Sequence, residues 1–385
     1  MDVKTRFIQH LRTVYPSLEM VPLDSLISDN LLSPFELKLP AATLPKIERA
    51  VKLCSDLREN PAYQKQLKTQ LEEKGITAHN HRSIMMSYDF HADMEGNLKL
   101  IEVNTNASFL ILGTHLYETE NIKPVPLRNP LADLKSAIEQ ELNSMGINTT
   151  KPRIAIVDEK PEQQRLYIEF VVAKALFESW GWTAAIKDSS EVNPADYDFI
   201  YNRDTDFFLE NTQLANLRSA AQNGKPVVSP HPAEYFYLAA KERLVEWSSP
   251  ELRNLIPNFS WTELDQFLLK SEILNLENRE RLWTERKKIF FKPVHAFGAK
   301  SSFRGATISR GTYEGMLNNE TLAQEFFPAP EANFKHQETD IKMKFDLRCY
   351  AYRDRLQMVI ARLYQGQVTN LRTTLGGFSC VNFTP

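Results

Sequence analysis

The chain has 385 residues, 42% of them hydrophobic and 25% charged, with a formal net charge of −3. That length allows two or three domains around a sizeable core, and the near-neutral balance implies no general affinity for nucleic acid or an anionic membrane. Cys54, Cys349 and Cys380 are widely separated and form no CxxC pair, which argues against a disulfide framework or a cysteine zinc site; there is no signal-peptide pattern and no apolar run near the ~20 residues of a membrane span, so a cytoplasmic enzyme is expected.

Residues 1–83 read as helical. Leu44, Ile47, Val51 and Leu53 and the charged run from Gln64 to Lys74 fit amphipathic helices, the second stopped at Gly75. Two short apolar runs at 84–104, joined across Met94-Glu95-Gly96-Asn97, predict a β-hairpin. A linker from Pro124 to Pro130 leads to a helix near 131–144, and polar residues 145–151 mark a boundary. Over 151–230, strands at Arg153–Asp158, Thr183–Ile186, Tyr197–Tyr201 and Pro226–Ser229 alternate with helices at Gln163–Trp180 and Ala215–Gln222. Such alternation predicts a parallel α/β layer. No GxGxxG follows its first strand, so no dinucleotide site is expected. Residues 231–385 open with a helix over 232–247 and continue with mixed strands and helices, including an antiparallel pair at 342–352 and 356–363 about the turn Tyr352–Arg355.

Several positions carry chemistry. Glu102 and Asn104 lie two apart on the second hairpin strand, on one face, and cross-strand pairing brings Asp89 opposite them. Two carboxylates and an amide oxygen are a hard oxygen set suited to Mg²⁺ beside phosphate; the same pattern also describes a solvated strand face. Ile289–Pro293 is a buried strand with Lys292 near its end, followed by a polar loop with Gly298, Lys300, Ser301, Ser302 and Arg304. Lysine and loop suit a phosphate clamp, although a lysine stem also covers apolar surface. The loop lacks GxxxxGK[ST], which disfavours a Walker-type NTPase. Arg348 and Arg362 sit on apolar strands and need anionic partners, either substrate or a structural ion pair such as Arg348 with Asp346. His79, His81, His91 and His295 show no metal spacing.

Jointly these segments resemble the ATP-grasp superfamily. YDFHADMEGNLKLIEVNTNASF is similar to the end of the catalytic domain of D-alanine–D-alanine ligase and glutathione synthetase, where an Asp and a Glu-x-Asn pair bind the magnesium ions of ATP. The resemblance thus makes Asp89, Glu102 and Asn104 the metal ligands. The "KP" strand and its loop give Lys292, Ser301 and Ser302 a role at the ATP phosphates, and Lys241 resembles the family's earlier nucleotide lysine. Gln324, Glu325, Phe326 and Phe327 resemble the hinge that binds the adenine edge. DLRCYAYRDRLQMVIARLYQGQVTNLRTTLGGFS looks like the strand pair of the glutathione synthetase and ribosomal-protein glutamate ligase branch, in which the arginine matching Arg362 steadies the γ-phosphate and acyl phosphate; Arg348 is the second catalytic candidate, and Asn370 or Arg372 belongs to the nucleotide and substrate side.

The order of these motifs departs from the usual one. The metal hairpin lies early instead of last, as in the circularly permuted arrangement of glutathionylspermidine synthetase. The expected fold is α/β with α+β elements: a permuted ATP-grasp core with its metal part at 84–150 and nucleotide-binding subdomains at 231–385, a pre-ATP-grasp layer at 151–230, and a helical region at 1–83. The implied activity is ATP- and Mg²⁺-dependent ligation of a small-molecule or peptide carboxylate to an amine. An ATP-grasp kinase acting on a hydroxyl and a non-catalytic nucleotide-binding protein remain alternatives, and the sequence gives no oligomeric state.

Overall fold

Caps written into the sequence start two of the N-terminal helices. In the computed structural model, which describes residues 1–93, 95–294 and 302–384, the Asp2 carboxylate accepts the Thr5 amide before the helix Val3–Val14. Asn60 likewise caps the helix Pro61–Glu73, with Pro61 in its first turn. Such side chains satisfy amides that have no partner within a helix, and proline loses nothing there. The helix Thr43–Glu59 buries Ile47, Val51, Cys54 and Leu57. The region is mainly helical, and it also holds β1 (Leu37–Pro40), which pairs in parallel with a strand at Val381–Thr384.

The predicted hairpin forms as β2 (Met86–Ala92) and β3 (Leu98–Asn104), antiparallel. Met94 of its turn lies outside the described residues. Asp93 organises the rest, its side chain accepting the amides of Glu95 and Asn97. A helix at Leu110–Thr119 follows, buried from Leu110 through Tyr117, then a helix at Pro130–Ser144.

The α/β layer consists of β4 (Arg153–Asp158), β5 (Thr183–Asp188), β6 (Phe199–Asn202) and β7 (Val227–Ser229), in the order β5-β4-β6-β7 and parallel throughout. Its first helix starts at Tyr167, not Gln163, because Pro161 sets a separate short turn and Gln164 is extended. The single helix expected over 232–247 is broken. A wide turn closes with the Ala240 amide on the Tyr235 carbonyl, Ala240 itself is extended, and helix resumes only at Glu242. That break presents Lys241 to the strands described next.

Strands β8 (Ser271–Ile273), β9 (Ile289–Pro293), β10 (Phe303–Arg304) and β11 (Thr321–Glu325) make a small antiparallel sheet in the order β10-β9-β11-β8. The remaining strands are β12 (Glu331–His336), β13 (Thr339–Tyr352), β14 (Arg355–Tyr364), β15 (Gly377–Ser379) and β16 (Val381–Thr384). The main sheet runs β15-β14-β13-β2-β3. β13 is long enough to pair with β12 along its first part and with β2 along its second. The hairpin and the two arginine strands therefore share one sheet.

Alternation sends successive residues of this sheet to opposite faces, and both are covered. Cys349, Val359 and Ala361 pack in a cluster with the helix Thr43–Glu59, while Tyr350, Met358 and Ile360 pack with the helix Leu110–Thr119. Gly113 lets that second helix sit close: a Cβ there would lie 2.7 Å from the Met358 methyl. Among the described residues no helix is long and apolar enough to cross a membrane.

Candidate active site

A cleft of about 850 Å³ opens where the helical cover of the main sheet ends. Along β13 and β14 the face that carries Tyr350, Met358 and Ile360 continues into Asp346, Arg348 and Arg362, which line the cleft. Antiparallel register sets Asp89 directly opposite Arg348 on one side and Glu102 on the other.

Asp89 is the hub. Arg348 donates from Nε and Nη2 to its two oxygens at 3.1 and 2.8 Å, and Arg362 Nη2 reaches Oδ2 at 2.8 Å. Ser87 Oγ adds a bond at 3.1 Å. Arg362 Nε donates to Asp346 Oδ1 at 2.6 Å, and the Thr369 hydroxyl donates to the other Asp346 oxygen. Asp89 is only 1% exposed. Burial pushes its carboxyl up, but the guanidiniums of Arg348 and Arg362 outweigh that and hold it below the usual carboxylate range. The ion pair considered for Arg348 with Asp346 does not form. Asp346 faces Arg362 in the β13–β14 register, and Arg348 turns to Asp89.

The three residues expected to hold a metal converge. Asn104 Nδ2 lies 3.2 Å from Asp89 Oδ2 and 3.4 Å from Glu102 Oε1. A half-turn of the Asn104 amide would present its oxygen to the same point, giving an all-oxygen set that fits Mg²⁺. Asp89 is shared with two guanidiniums, so Glu102 is the carboxylate with the most spare capacity: among the described residues it accepts a hydrogen bond only from Asn104.

Lys292 faces this set from the small sheet. The β2–β3 register skips Ile101 at a bulge. Lys292 Nζ donates to the Ile101 carbonyl at 3.2 Å and to Gln324 Oε1 at 2.9 Å. Burial lowers its pKa, while Glu102 and Asp89 draw it back up. Lys241 Nζ donates to the carbonyls of Pro293 and Val294 at 2.9 and 3.0 Å, and burial brings its pKa down to about 8 despite Glu102. Both lysines line the cleft. So do Gln324, Glu325, Phe326 and Phe327, at the end of β11. The amides of Glu325 and Phe326 are already committed to the carbonyls of Lys270 and Lys288, and Arg304 stacks over the Phe326 ring at 4.5 Å.

Ser302 lines the cleft, whereas Ser301 lies outside the described residues, as do His295, Gly298 and Lys300 of the same loop. Asn370 reaches the cleft lining and Arg372 does not. Yet the Asn370 side chain is spent on its own loop: Nδ2 donates to the Gln365 and Val368 carbonyls, and Oδ1 accepts from the Arg372 amide and the Thr373 hydroxyl. Those four bonds make it an organiser of the loop at the cleft lining.

The sequence reading missed the far wall. Arg203 follows β6 and its guanidinium donates to the Asn106 carbonyl, while the Asn106 amide donates back to the Arg203 and Asp204 carbonyls. Arg165 donates to the Leu371 carbonyl. Both arginines line the cleft. Position alone pointed to Arg203, since ligands of parallel sheets gather beyond the carboxyl ends of the strands.

No protein-family model matches this chain, and no curated protein matches it in sequence. Its fold is similar to that of a glutathione synthetase-like effector from Globodera pallida in the apo form. The superposition covers 96% of this chain and 99% of the other, with a TM-score of 0.53 and 11% identity. A protein from Methylobacillus flagellatus, provisionally named a gamma-glutamylcysteine synthetase, aligns over 86% of this chain and 85% of its own with a TM-score of 0.42 and 11% identity, too distant to carry an argument. At such identity the first likeness speaks to fold alone, a mixed α/β one.

Proposed function

We propose that this cleft binds ATP with magnesium and joins a carboxylate to an amine, on a circularly permuted ATP-grasp scaffold. The observation that carries the reading is the joining of the Asp89–Glu102–Asn104 hairpin, edge to edge, with the strands of Arg348 and Arg362, with Lys292 facing them. One cut in the usual chain order accounts for an early hairpin beside late strands, and a fold depends on its contacts more than on chain order. On this reading residues 84–150 and 231–385 form the catalytic core, 151–230 the preceding layer, and 1–83 an added helical region.

In the first step an oxygen of the substrate carboxylate attacks the γ-phosphorus as the bond to the ADP oxygen breaks, giving an acyl phosphate. In the second the amine nitrogen attacks the acyl carbon, phosphate leaves with the bridging electron pair, and the nitrogen loses a proton. Lys292 and Lys241 hold phosphate oxygens, together with Ser302 in the lining of the same cleft. The end of β11, Gln324 to Phe327, takes the adenine. Arg362 stabilises the transferred phosphoryl and the tetrahedral adduct. Arg348 keeps Asp89 ionised and in place. Asp89, Glu102 and Asn104 would hold magnesium, which neutralises phosphate charge during transfer. Arg165 and Arg203, across the cleft, suit an acidic group on a small-molecule or peptide substrate.

The test is ADP release against panels of carboxylates and amines. The reading requires release that depends on one member of each. ADP formed with a hydroxyl acceptor alone would identify a kinase, and tight ATP binding without turnover a non-catalytic nucleotide-binding protein.

A further inference from the structure

Away from the cleft, the N-terminal helix and the helix Leu110–Thr119 meet at three side chains. His10 Nε2, His115 Nδ1 and Glu118 Oε2 lie 3.2, 2.9 and 2.8 Å from one another. His115 and Glu118 are three residues apart on one helix, so both project to the same side. His115 is 1% exposed, His10 24% and Glu118 45%. The cluster is therefore rooted in the core and open to solvent on one side. Arg6, the nearby cation of the N-terminal helix, is engaged by Glu120 at 2.6 Å and leaves Glu118 to the histidines.

Without an added cation the arrangement is crowded. If both ring nitrogens carry protons, two N–H groups only 3.2 Å apart crowd one carboxylate oxygen. If either lacks its proton, a lone pair faces that oxygen at 2.8 or 2.9 Å. A metal ion removes the conflict, because all three atoms then point lone pairs at one positive centre. The far side of His115 is already set for this: Tyr15 OH lies 2.9 Å from Nε2. With Nε2–H donating to the Tyr15 oxygen, Nδ1 is the free lone pair, the outer hydrogen bond that orients metal-bound imidazoles.

We propose that His10, His115 and Glu118 form a binding site for a divalent transition-metal ion of the Zn²⁺ type, separate from the ATP cleft, that clips the N-terminal helix to the helix Leu110–Thr119. Two imidazoles and one carboxylate suit Zn²⁺ over Mg²⁺ or Ca²⁺, which favour all-oxygen sets. Zn–N distances of about 2.0–2.1 Å put tetrahedral ligand atoms roughly 3.4 Å apart, so the sides of the triangle need to open by roughly 0.2–0.6 Å. The exposed side of Glu118 leaves the fourth position to water. Because the Leu110–Thr119 helix packs on the sheet beneath the cleft, the ion would tie the helical N-terminal region to the scaffold of the site.

Calorimetric titration of the full-length chain with ZnCl₂, in excess Mg²⁺ to occupy the cleft, tests this. The wild type is expected to bind one equivalent. His10→Ala, at a part-exposed position, and Glu118→Gln should each lose at least about tenfold in affinity, and Tyr15→Phe about 10–100-fold. Co²⁺ added instead should give the visible absorption of a low-coordinate site in the wild type and not in His10→Ala. The Zn²⁺-dependent rise in melting temperature should vanish in the same variants. No zinc binding by the wild type, or zinc binding unchanged in both His10→Ala and Glu118→Gln, overturns the proposal. Neither result bears on ATP turnover, which is read separately.

Discussion

Arg348 and Asp89 are 259 residues apart in the chain and directly opposite each other across two antiparallel strands, joined by a two-pronged ion pair at 3.1 and 2.8 Å. This contact welds the early hairpin to the late strands and also fixes the carboxylate at the centre of the candidate site. Arg362 closes on the same carboxylate, so Asp89 serves stability and site geometry together.

Asp89→Asn leaves the guanidiniums of buried Arg348 and half-buried Arg362 sharing fewer negative charges. Removing one partner of a buried pair typically costs about 3–5 kcal/mol. Urea unfolding of the variant should show a loss of that order; a loss under about 1 kcal/mol would mean that solvent reaches the pair. The pH sign follows from a carboxyl held below its ordinary range when folded. The contribution is full above the usual carboxylate pKa and is lost as pH falls below it. The acid limb of the stability profile should accordingly be shallower in Asp89→Asn.

Arg362 and Lys292 are expected to fail differently. Arg362→Ala should leave ATP affinity nearly intact and cut turnover by roughly 10²–10³, the usual loss of a preorganised charge stabiliser. Lys292→Ala should weaken nucleotide binding as well. Calorimetry with ATP beside single-turnover ADP formation separates the two. Small and equal effects in both variants would reduce Arg362 to a structural partner of Asp346.

Lys241 predicts a pH dependence. Burial lowers its pKa to about 8, so its charge is present below that pH and lost above it. ATP affinity should decline as pH rises through about 8, and Lys241→Met should bind more weakly below pH 8 and flatten the step. For stability the sign is opposite. The unfolded chain holds this proton up to about 10.4, so burial of the charged lysine is costly below pH 8, and the cost is relieved between 8 and 10.4.

Glu102 predicts the metal dependence. EDTA should abolish turnover. Glu102→Gln removes the carboxylate with most spare capacity and should raise the Mg²⁺ concentration for half-maximal turnover by about tenfold or more, equivalent to ~1.4 kcal/mol. An unchanged Mg²⁺ requirement would remove Glu102 from the metal set.

Much of the scaffold was legible because its signals are local. Alternation around a Gly-Asn turn marked the hairpin, and alternating strands and helices marked the parallel layer. What escaped depends on distant chain. Nothing near Asp89 indicates that Arg348 and Arg362 will close on it. The helix Leu110–Thr119 is buried all round from Leu110 through Tyr117, so it shows little amphipathic period. Lys241 reads as a helix lysine until the break at Ala240 is seen. The four bonds that hold the Asn370 side chain within its own loop carry no sequence pattern. His115 and Glu118 carry a local His-x-x-Glu spacing, whereas His10 joins them only through the packing of two helices 105 residues apart.

The central claim is that an acyl phosphate forms in the Asp89 cleft. The most direct measurement is hydroxylamine trapping: the protein with MgATP, a panel of amino-acid and peptide carboxylates, and hydroxylamine as the amine. A carboxylate-dependent hydroxamate should appear in equal amount to ADP, and Arg362→Ala should suppress both together. ADP formation with a hydroxyl acceptor and no hydroxamate, or saturable ATP binding with no ADP under any of these conditions, would contradict it.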